Sequence, residues 1–115
     1  MADDDDNPRT SNDGEEMNKY QIEQIELGIK KGVDVTFYAK KEFSSLQMRI
    51  IRLGLEENIN VAFYANPEFS INQMEVIFLG LRNGDDVSSY AKPEIHWKSM
   101  NERMLARKAI RRINE

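Results

Sequence analysis

The chain has 115 residues and a formal net charge of −4, with no cysteine and one histidine, His96. This length suits one small domain with its own core. Without cysteine there can be no disulfide or thiolate metal site, and a single histidine excludes a two-histidine metal site. No apolar run approaches the ~20 residues that cross a bilayer, and the acidic N-terminus is unlike a signal peptide. We therefore expect a cytoplasmic protein without a cofactor or metal.

Charge is distributed unevenly along the chain. Residues 1–16 hold seven acidic side chains against Arg9, a net charge of −6, and almost no apolar side chains. Such a segment cannot recover the entropy lost on ordering, so it is predicted to be a disordered acidic tail. Residues 96–115 hold six basic side chains against two acidic ones, a net charge of +4. The folded domain is expected to span residues 17–115.

Most of that domain is a tandem repeat with a period of 26 residues. Gln21, Leu27, Gly28, Tyr38 and Ala39 each recur 26 and 52 residues later. A short unit of this kind cannot bury its apolar surface alone, so tandem copies stack on one another. The repeats are assigned to residues 18–43, 44–69 and 70–95, with a partial fourth copy at 96–115.

Each repeat predicts a longer helix, a tight turn and a very short second helix. A capping box begins the longer helix, with a polar N-cap residue and a glutamine three residues later. The longer helix ends near a residue that tolerates the left-handed conformation, and a second polar residue caps the short helix. These positions are, in repeat order, Asn18, Ser44 and Ser70; Gly32, Asn58 and Gly84; and Asp34, Asn60 and Asp86.

The longer helix is apolar on two sides. In the second copy Met48, Ile51 and Leu55 share one face. Leu46, Ile50 and Leu53 lie roughly opposite, at ~100° per residue. Such a helix must be covered by a neighbour on each side. The predicted fold is therefore all-α, with tandem helix-turn-helix repeats stacked as a small α-solenoid.

The two ends of this stack differ. In the fourth copy Lys98 and Glu102 replace the second apolar face, so residues 96–115 are predicted to form one capping helix with a polar outer side. At the other end, Tyr20 and Leu27 are expected to lie on the open face. The chain is accordingly expected to be a monomer or a weak homodimer.

A glycine recurs inside the longer helix, where Gly54 costs about 1 kcal/mol relative to alanine. Its recurrence as Gly28 and Gly80 indicates a place where a short helix crosses too closely for a Cβ atom. Charges at two other positions alternate in sign from copy to copy, and stacked helices would pair them. These charges are Glu23, Arg49 and Glu75 at one position, and Lys30, Glu56 and Arg82 at the other.

The string FSINQMEVIFLGLRNGDDVSSYAKPEI resembles a short tandem repeat, roughly QMxxIxxGLxxGxDVxxYAxPxF, of proteins from mobile elements of Gram-positive bacteria. The resemblance covers about residues 18–105, and the first copy departs from it with Ile22 for methionine and Lys41 for proline. It implies a helical repeat module in phage-like or conjugative-element proteins, and it implies no catalytic residue.

The residues themselves offer no catalytic motif. A phosphate-binding loop, a Ser/His/Asp arrangement and a paired metal-ligand motif are all missing from the sequence. His96 stands at the N-cap of the last helix, where a structural role is favoured. Asp85 and Asp86 could suggest a cation site, but Asp86 matches the N-cap position of the earlier repeats. We predict a protein that is not an enzyme.

One candidate binding site is a set of aromatic residues, Phe37, Phe63 and Phe78. Exposed aromatic side chains in a row would suit a protein partner, whereas the alternative is that they pack between repeats. The leading functional hypothesis is a non-enzymatic α-helical repeat protein that acts as a protein–protein interaction module.

The other candidate site is the basic C-terminal helix, whose side chains could contact nucleic-acid phosphates. The alternatives are a solvated face, or a helix-turn-helix in which the repeats themselves read DNA. The second functional hypothesis is therefore a nucleic-acid-associated regulatory, accessory or anti-defence protein of a mobile element. The basic residues are Arg103, Arg107, Lys108, Arg111 and Arg112.

Overall fold

The computed structural model describes residues 16–114, which form four α-helices and three short 3₁₀ helices and contain no β-strand. The predicted all-helical class is thus confirmed. The α-helices pack on one another in chain order, α1 on α2, α2 on α3 and α3 on α4. They are α1 (Lys19–Lys31), α2 (Ser45–Glu56), α3 (Ile71–Arg82) and α4 (Trp97–Asn114), and the 3₁₀ helices are Val35–Phe37, Val61–Phe63 and Val87–Ser89.

The sequence makes predictions about both the N-terminal tail and the membrane-spanning potential of the helices. The expected disordered acidic tail, residues 1–16, lies outside the described residues except for Glu16. Within residues 16–114, every helix is too short or too polar to span a bilayer.

A capping box begins each of the first three α-helices, as predicted. Asn18 Oδ1 accepts a hydrogen bond from the Gln21 backbone N–H at 2.8 Å, and Gln21 Oε1 accepts one from the Asn18 N–H at 2.8 Å. Ser44 with Gln47, and Ser70 with Gln73, repeat the arrangement.

The same glutamine also joins consecutive repeats. Its Nε2 donates to two carbonyl oxygens in the turn that precedes the next α-helix, so one side chain fixes both its own helix start and the following turn. This double role explains its recurrence at a 26-residue period. The shorter of these bonds are Gln21 to Phe43 at 2.6 Å, Gln47 to Phe69 at 2.7 Å and Gln73 to Ile95 at 2.7 Å.

The predicted ends of the longer helices are also confirmed. Gly32, Asn58 and Gly84 have φ values of 77°, 59° and 79°, in the left-handed region. The second helix of each repeat is a single 3₁₀ turn, whose N-cap carboxylate or amide accepts from a backbone N–H two residues later. Three residues are too few for the first helix of a DNA-binding helix-turn-helix.

The recurring glycine lies where the 3₁₀ helix of its own repeat crosses the α-helix. A Cβ atom on Gly54 would overlap the Tyr64 hydroxyl and lie 2.7 Å from Val61 Cγ1. The hydroxyl occupies this space because it donates to the Ile50 carbonyl at 2.7 Å. Gly28 and Gly80 have equivalent surroundings, so the predicted close approach is confirmed.

Two contacts between helices show which sides of each helix face its neighbours. Arg52 Nε of α2 donates to Gln24 Oε1 of α1 at 3.0 Å, and Arg82 of α3 forms two hydrogen bonds with Glu57, just after α2, at 3.0 and 2.9 Å. The arginine side of a helix therefore faces the preceding repeat, and the Gln24 side faces the following one.

This orientation corrects the prediction for the open end. Tyr20 and Leu27 share the Gln24 side of α1, which faces α2, and Leu27 is partly buried there. The open side of α1 is the opposite one, where Ile22 and Ile29 are 44% and 64% exposed. Gln24, between them on the same side of α1, accepts the hydrogen bond from Arg52 of α2.

The predicted alternating charge pairs also differ in the structure. Arg82 pairs with Glu57 and not with Glu56, which instead pairs with Arg52 of its own helix. A one-residue difference matters because it rotates a side chain by ~100° around the helix.

The last helix is continuous over 18 residues, as predicted for the capping helix. Met100 and Met104 are buried against the stack, and Lys98 and Glu102 are exposed on the outer side. The outer side is polar only in its first half, however, because apolar side chains are exposed in the second half. These are Leu105, Ile110 and Ile113.

Candidate functional site

The first candidate site is an aromatic ridge formed by Phe37 and Phe63. These residues end the first two 3₁₀ helices and are 38% and 36% exposed. The neighbouring tyrosines, Tyr38 and Tyr64, are fully buried. Each 3₁₀ turn therefore anchors a tyrosine in the core and presents the preceding phenylalanine toward solvent.

A shallow groove adjoins the ridge between the first two repeats. Its volume is about 380 Å³, and one wall is the Phe37 ring. Small side chains of the second repeat, Ala62 and Ala65, form the other side, while Asp34, Thr36 and Lys40 supply polar groups. The groove is thus lined by both apolar and polar side chains, as protein interfaces commonly are.

Phe78 does not belong to this ridge. It lies in the middle of α3 and is only 8% exposed, and the Arg82 guanidinium lies over its ring, 5.1 Å from the centroid. The inclusion of Phe78 among the partner-binding residues is therefore corrected. The equivalent of Phe37 in the third repeat is Ser89, so the ridge has two members.

The second candidate site, the basic helix, is largely engaged within the chain. Arg103, Arg107 and Arg111 share one side of α4, as their spacing predicted, but that side faces the third repeat. Arg103 Nη1 donates to the Ser89 carbonyl at 3.3 Å. Arg107 Nε and Arg111 Nη1 both donate to Asp85 Oδ1 at 2.7 Å.

Asp85 is the centre of a polar cluster that also contains Tyr90, Arg107 and Arg111. Its side chain has no exposed surface, and its second oxygen accepts from the Tyr90 hydroxyl at 2.8 Å. In the first two repeats the equivalent tyrosine donates to a backbone carbonyl instead. The third repeat is thus modified to receive α4.

The electrostatics of this cluster favour the charged carboxylate. Burial alone would raise the pKa of Asp85, but hydrogen bonds from Arg107 and Tyr90 and the charges of both arginines outweigh burial and hold the pKa below its usual 3.8. Burial and the adjacent carboxylate raise the pKa of the Tyr90 phenol, which stays protonated as a donor. The cluster is a fully paired structural contact with no free nucleophile or base.

Asp85 was missed as a structural residue, although the repeat contains a signal for it. Val33 and Ile59 occupy its position in the first two copies, and the position of Arg107 holds Leu81 one copy earlier. Two apolar positions therefore change to opposite charges at the same end of the stack. That coordinated change could have indicated an ion pair.

His96 lies where the sequence placed it. Its Nδ1 accepts a hydrogen bond from the Lys98 backbone N–H at 3.1 Å, so it caps the N-terminus of α4. Asp86 likewise caps the third 3₁₀ helix, accepting from the Ser88 N–H at 3.1 Å. Within residues 16–114, no group of three or more histidine or acidic side chains is placed to hold a metal ion.

Comparison of the chain with protein-family models, with curated proteins and with solved structures finds no significant match.

Proposed function

We propose that the chain is a short α-solenoid without enzymatic activity that binds a protein partner through its 3₁₀ helices. The observation that carries this proposal is the aromatic ridge, Phe37 and Phe63, half-exposed at equivalent positions of two successive repeats. Aromatic side chains dominate binding energy at many interfaces because they bury a large area with few rotatable bonds.

The solenoid part of the proposal is supported by the order of packing. Each α-helix contacts the next one in the chain, and the glutamine, glycine and tyrosine contacts recur from one repeat to the next. Proteins of this architecture bind partners along rows of equivalent positions on adjacent repeats. The ridge is the one such row of half-exposed aromatic residues within residues 16–114.

The nucleic-acid alternative has weaker support. Arg107 and Arg111 share the single negative charge of Asp85, and Arg103 is bonded to a backbone carbonyl. Within residues 16–114, Lys108 and Arg112 are the basic residues of the proposed set without an assigned contact. Affinity for nucleic acid and its salt dependence grow with the number of phosphates neutralised. Three of the five basic side chains are held in contacts within the chain, which lowers the number that can neutralise phosphates.

The experiment that tests the proposal is affinity capture with matched variants. The wild-type chain and Leu46→Ala, which shortens an exposed leucine on α2, should capture the same protein from the host. The double variant Phe37→Ala, Phe63→Ala should lose that protein while its circular dichroism spectrum stays unchanged. Retention of the partner by the double variant, or capture of nucleic acid alone, would refute the proposal.

A further inference from the structure

The open side of α1 presents apolar residues at three positions that are covered in the later repeats. Met48 and Ile51 of α2 have no exposed surface, whereas Ile22, the equivalent of Met48, is 44% exposed and Ile25, the equivalent of Ile51, is partly exposed. Ile29 is 64% exposed, and its equivalent in α2, Leu55, is partly buried. Each later helix reaches its predecessor from this side, as the Arg52 contact to α1 shows. We define the open face as Ile22, Ile25 and Ile29.

Two other parts of the chain have compositions poorly suited to cover this face. Residues 1–15 hold six acidic side chains and, apart from Met1, no large apolar one. The outer side of α4, where a further repeat would stack, carries Lys98 and Glu102 in its first half, and its exposed apolar residues, such as Leu105, lie farther along the helix. Burying these two charges against isoleucine would cost more than the contact returns, so head-to-tail stacking is disfavoured.

We propose that the open face binds the same face of a second copy, with two antiparallel α1 helices related by a two-fold axis. The three isoleucines follow a spacing of three and then four residues, which is the seam spacing of a two-helix coiled coil. A two-fold contact uses one surface on both subunits, so the assembly closes at the dimer.

Charges beside the seam select one register. When Ile22 of one copy packs against Ile25 of the second copy, Lys19 lies beside Glu26 of the second copy, and the two-fold axis repeats the pair. Lys19 and Glu26 are both exposed in the single chain. A register shifted by one heptad would instead bring the two Glu26 side chains together, which is repulsive.

Sedimentation equilibrium of the full chain tests the dimer. A seam of one helix is at the small end of interface sizes, so we expect a weak monomer–dimer equilibrium between about 10 µM and 1 mM. Ile22→Glu should abolish the dimer, and the control Leu105→Glu, which makes the same change on exposed α4, should keep it. A monomer throughout, species larger than a dimer, or equal loss with both variants would overturn the proposal.

A charge exchange tests the register. Glu26→Lys and Lys19→Glu should each weaken the homodimer about tenfold, because two attractive pairs become repulsive. An equimolar mixture should restore wild-type association, since the heterodimer regains both opposite-charge pairs. Circular dichroism would verify that each variant is folded. Association of the mixture no tighter than that of either variant alone would overturn the register.

Discussion

Replacing Gly54 with alanine tests the contact that recurs in the first three repeats. In an exposed helix interior this change stabilises by about 1 kcal/mol, because alanine has the higher helix propensity. Here the added methyl group would overlap the Tyr64 hydroxyl and lie 2.7 Å from Val61 Cγ1. The cost of the close contact therefore opposes the gain in helix propensity. The sign of the change in the free energy of unfolding shows which of the two is larger.

The size of the destabilisation follows from the side chains that the added methyl group must displace. Displacing the Tyr64 ring breaks its 2.7 Å hydrogen bond to the Ile50 carbonyl and leaves buried polar groups unpaired, at about 1–3 kcal/mol. Overpacking against Val61 adds about 1–3 kcal/mol. After the gain of about 1 kcal/mol in helix propensity is subtracted, Gly54→Ala should lower the free energy of unfolding by about 3 kcal/mol, within a range of about 1–5 kcal/mol.

Urea denaturation followed by circular dichroism measures this difference. Tyr64→Phe removes the atom nearest the added methyl group, so Gly54→Ala should cost at least about 1 kcal/mol less in that background. Val61 remains close, and some cost should therefore persist. A rise in melting temperature for Gly54→Ala alone, or strict additivity of the two changes, would contradict the close contact as the reason for the glycine.

Three further changes have defined outcomes. Asp85→Asn should lower the free energy of unfolding at neutral pH by about 2 kcal/mol, measured in urea, because two arginines lose their carboxylate partner. Folding lowers the pKa of Asp85, so its stabilisation is complete above its ordinary 3.8 and is lost as pH falls through the lower folded value. The wild type should consequently lose more stability than Asp85→Asn between about pH 5 and pH 2. Gln47→Ala should cost about 2 kcal/mol in the same assay, and Gln47→Glu at least as much, because a buried carboxylate oxygen would face the Pro67 and Phe69 carbonyls that now accept from the amide. Phe37→Ala with Phe63→Ala should lower the free energy of unfolding by about 2–4 kcal/mol, since each residue is a little more than one-third exposed and the buried part of each ring is lost; a larger loss would show that they support the core.

Local features of the fold could be predicted because they depend on neighbouring residues. The capping box of Ser44 and Gln47 and the left-handed helix end at Asn58 are set within a few positions of the chain. Because the repeat occurs three times, each of these local patterns also appears three times in the sequence. The close approach at Gly54 was predictable for the same reason, because a recurring glycine inside a helix needs a cause.

Features that depend on helix rotation could not be predicted as well. Gln24 looks like a polar residue on a solvent face until Arg52 of the next helix is placed against it. Phe78 is an aromatic residue like Phe37, but its position in α3 buries it under Arg82. Helical periodicity identifies two sides of a helix, and only the packed neighbours decide which side is open.

The basic helix shows a limit of charge patterns. Arg107 and Arg111 were correctly placed on one side of α4, yet both bind Asp85 and their side chains are only 42% and 37% exposed. The spacing of like charges does not reveal whether an opposite charge from another element meets them. Here the opposite charge belongs to Asp85, at a repeat position where the first two copies have the branched apolar residues Val33 and Ile59.

Site-specific photocrosslinking tests the proposed function most directly. A photoreactive phenylalanine analogue placed at position 37 or 63 preserves the aromatic ridge, while the same analogue at position 46 probes an exposed site on α2. In host cells, positions 37 and 63 should each crosslink to the same protein, and position 46 should give no such adduct. Crosslinks from position 46 alone, or from neither ridge position, would contradict binding through the 3₁₀ helices.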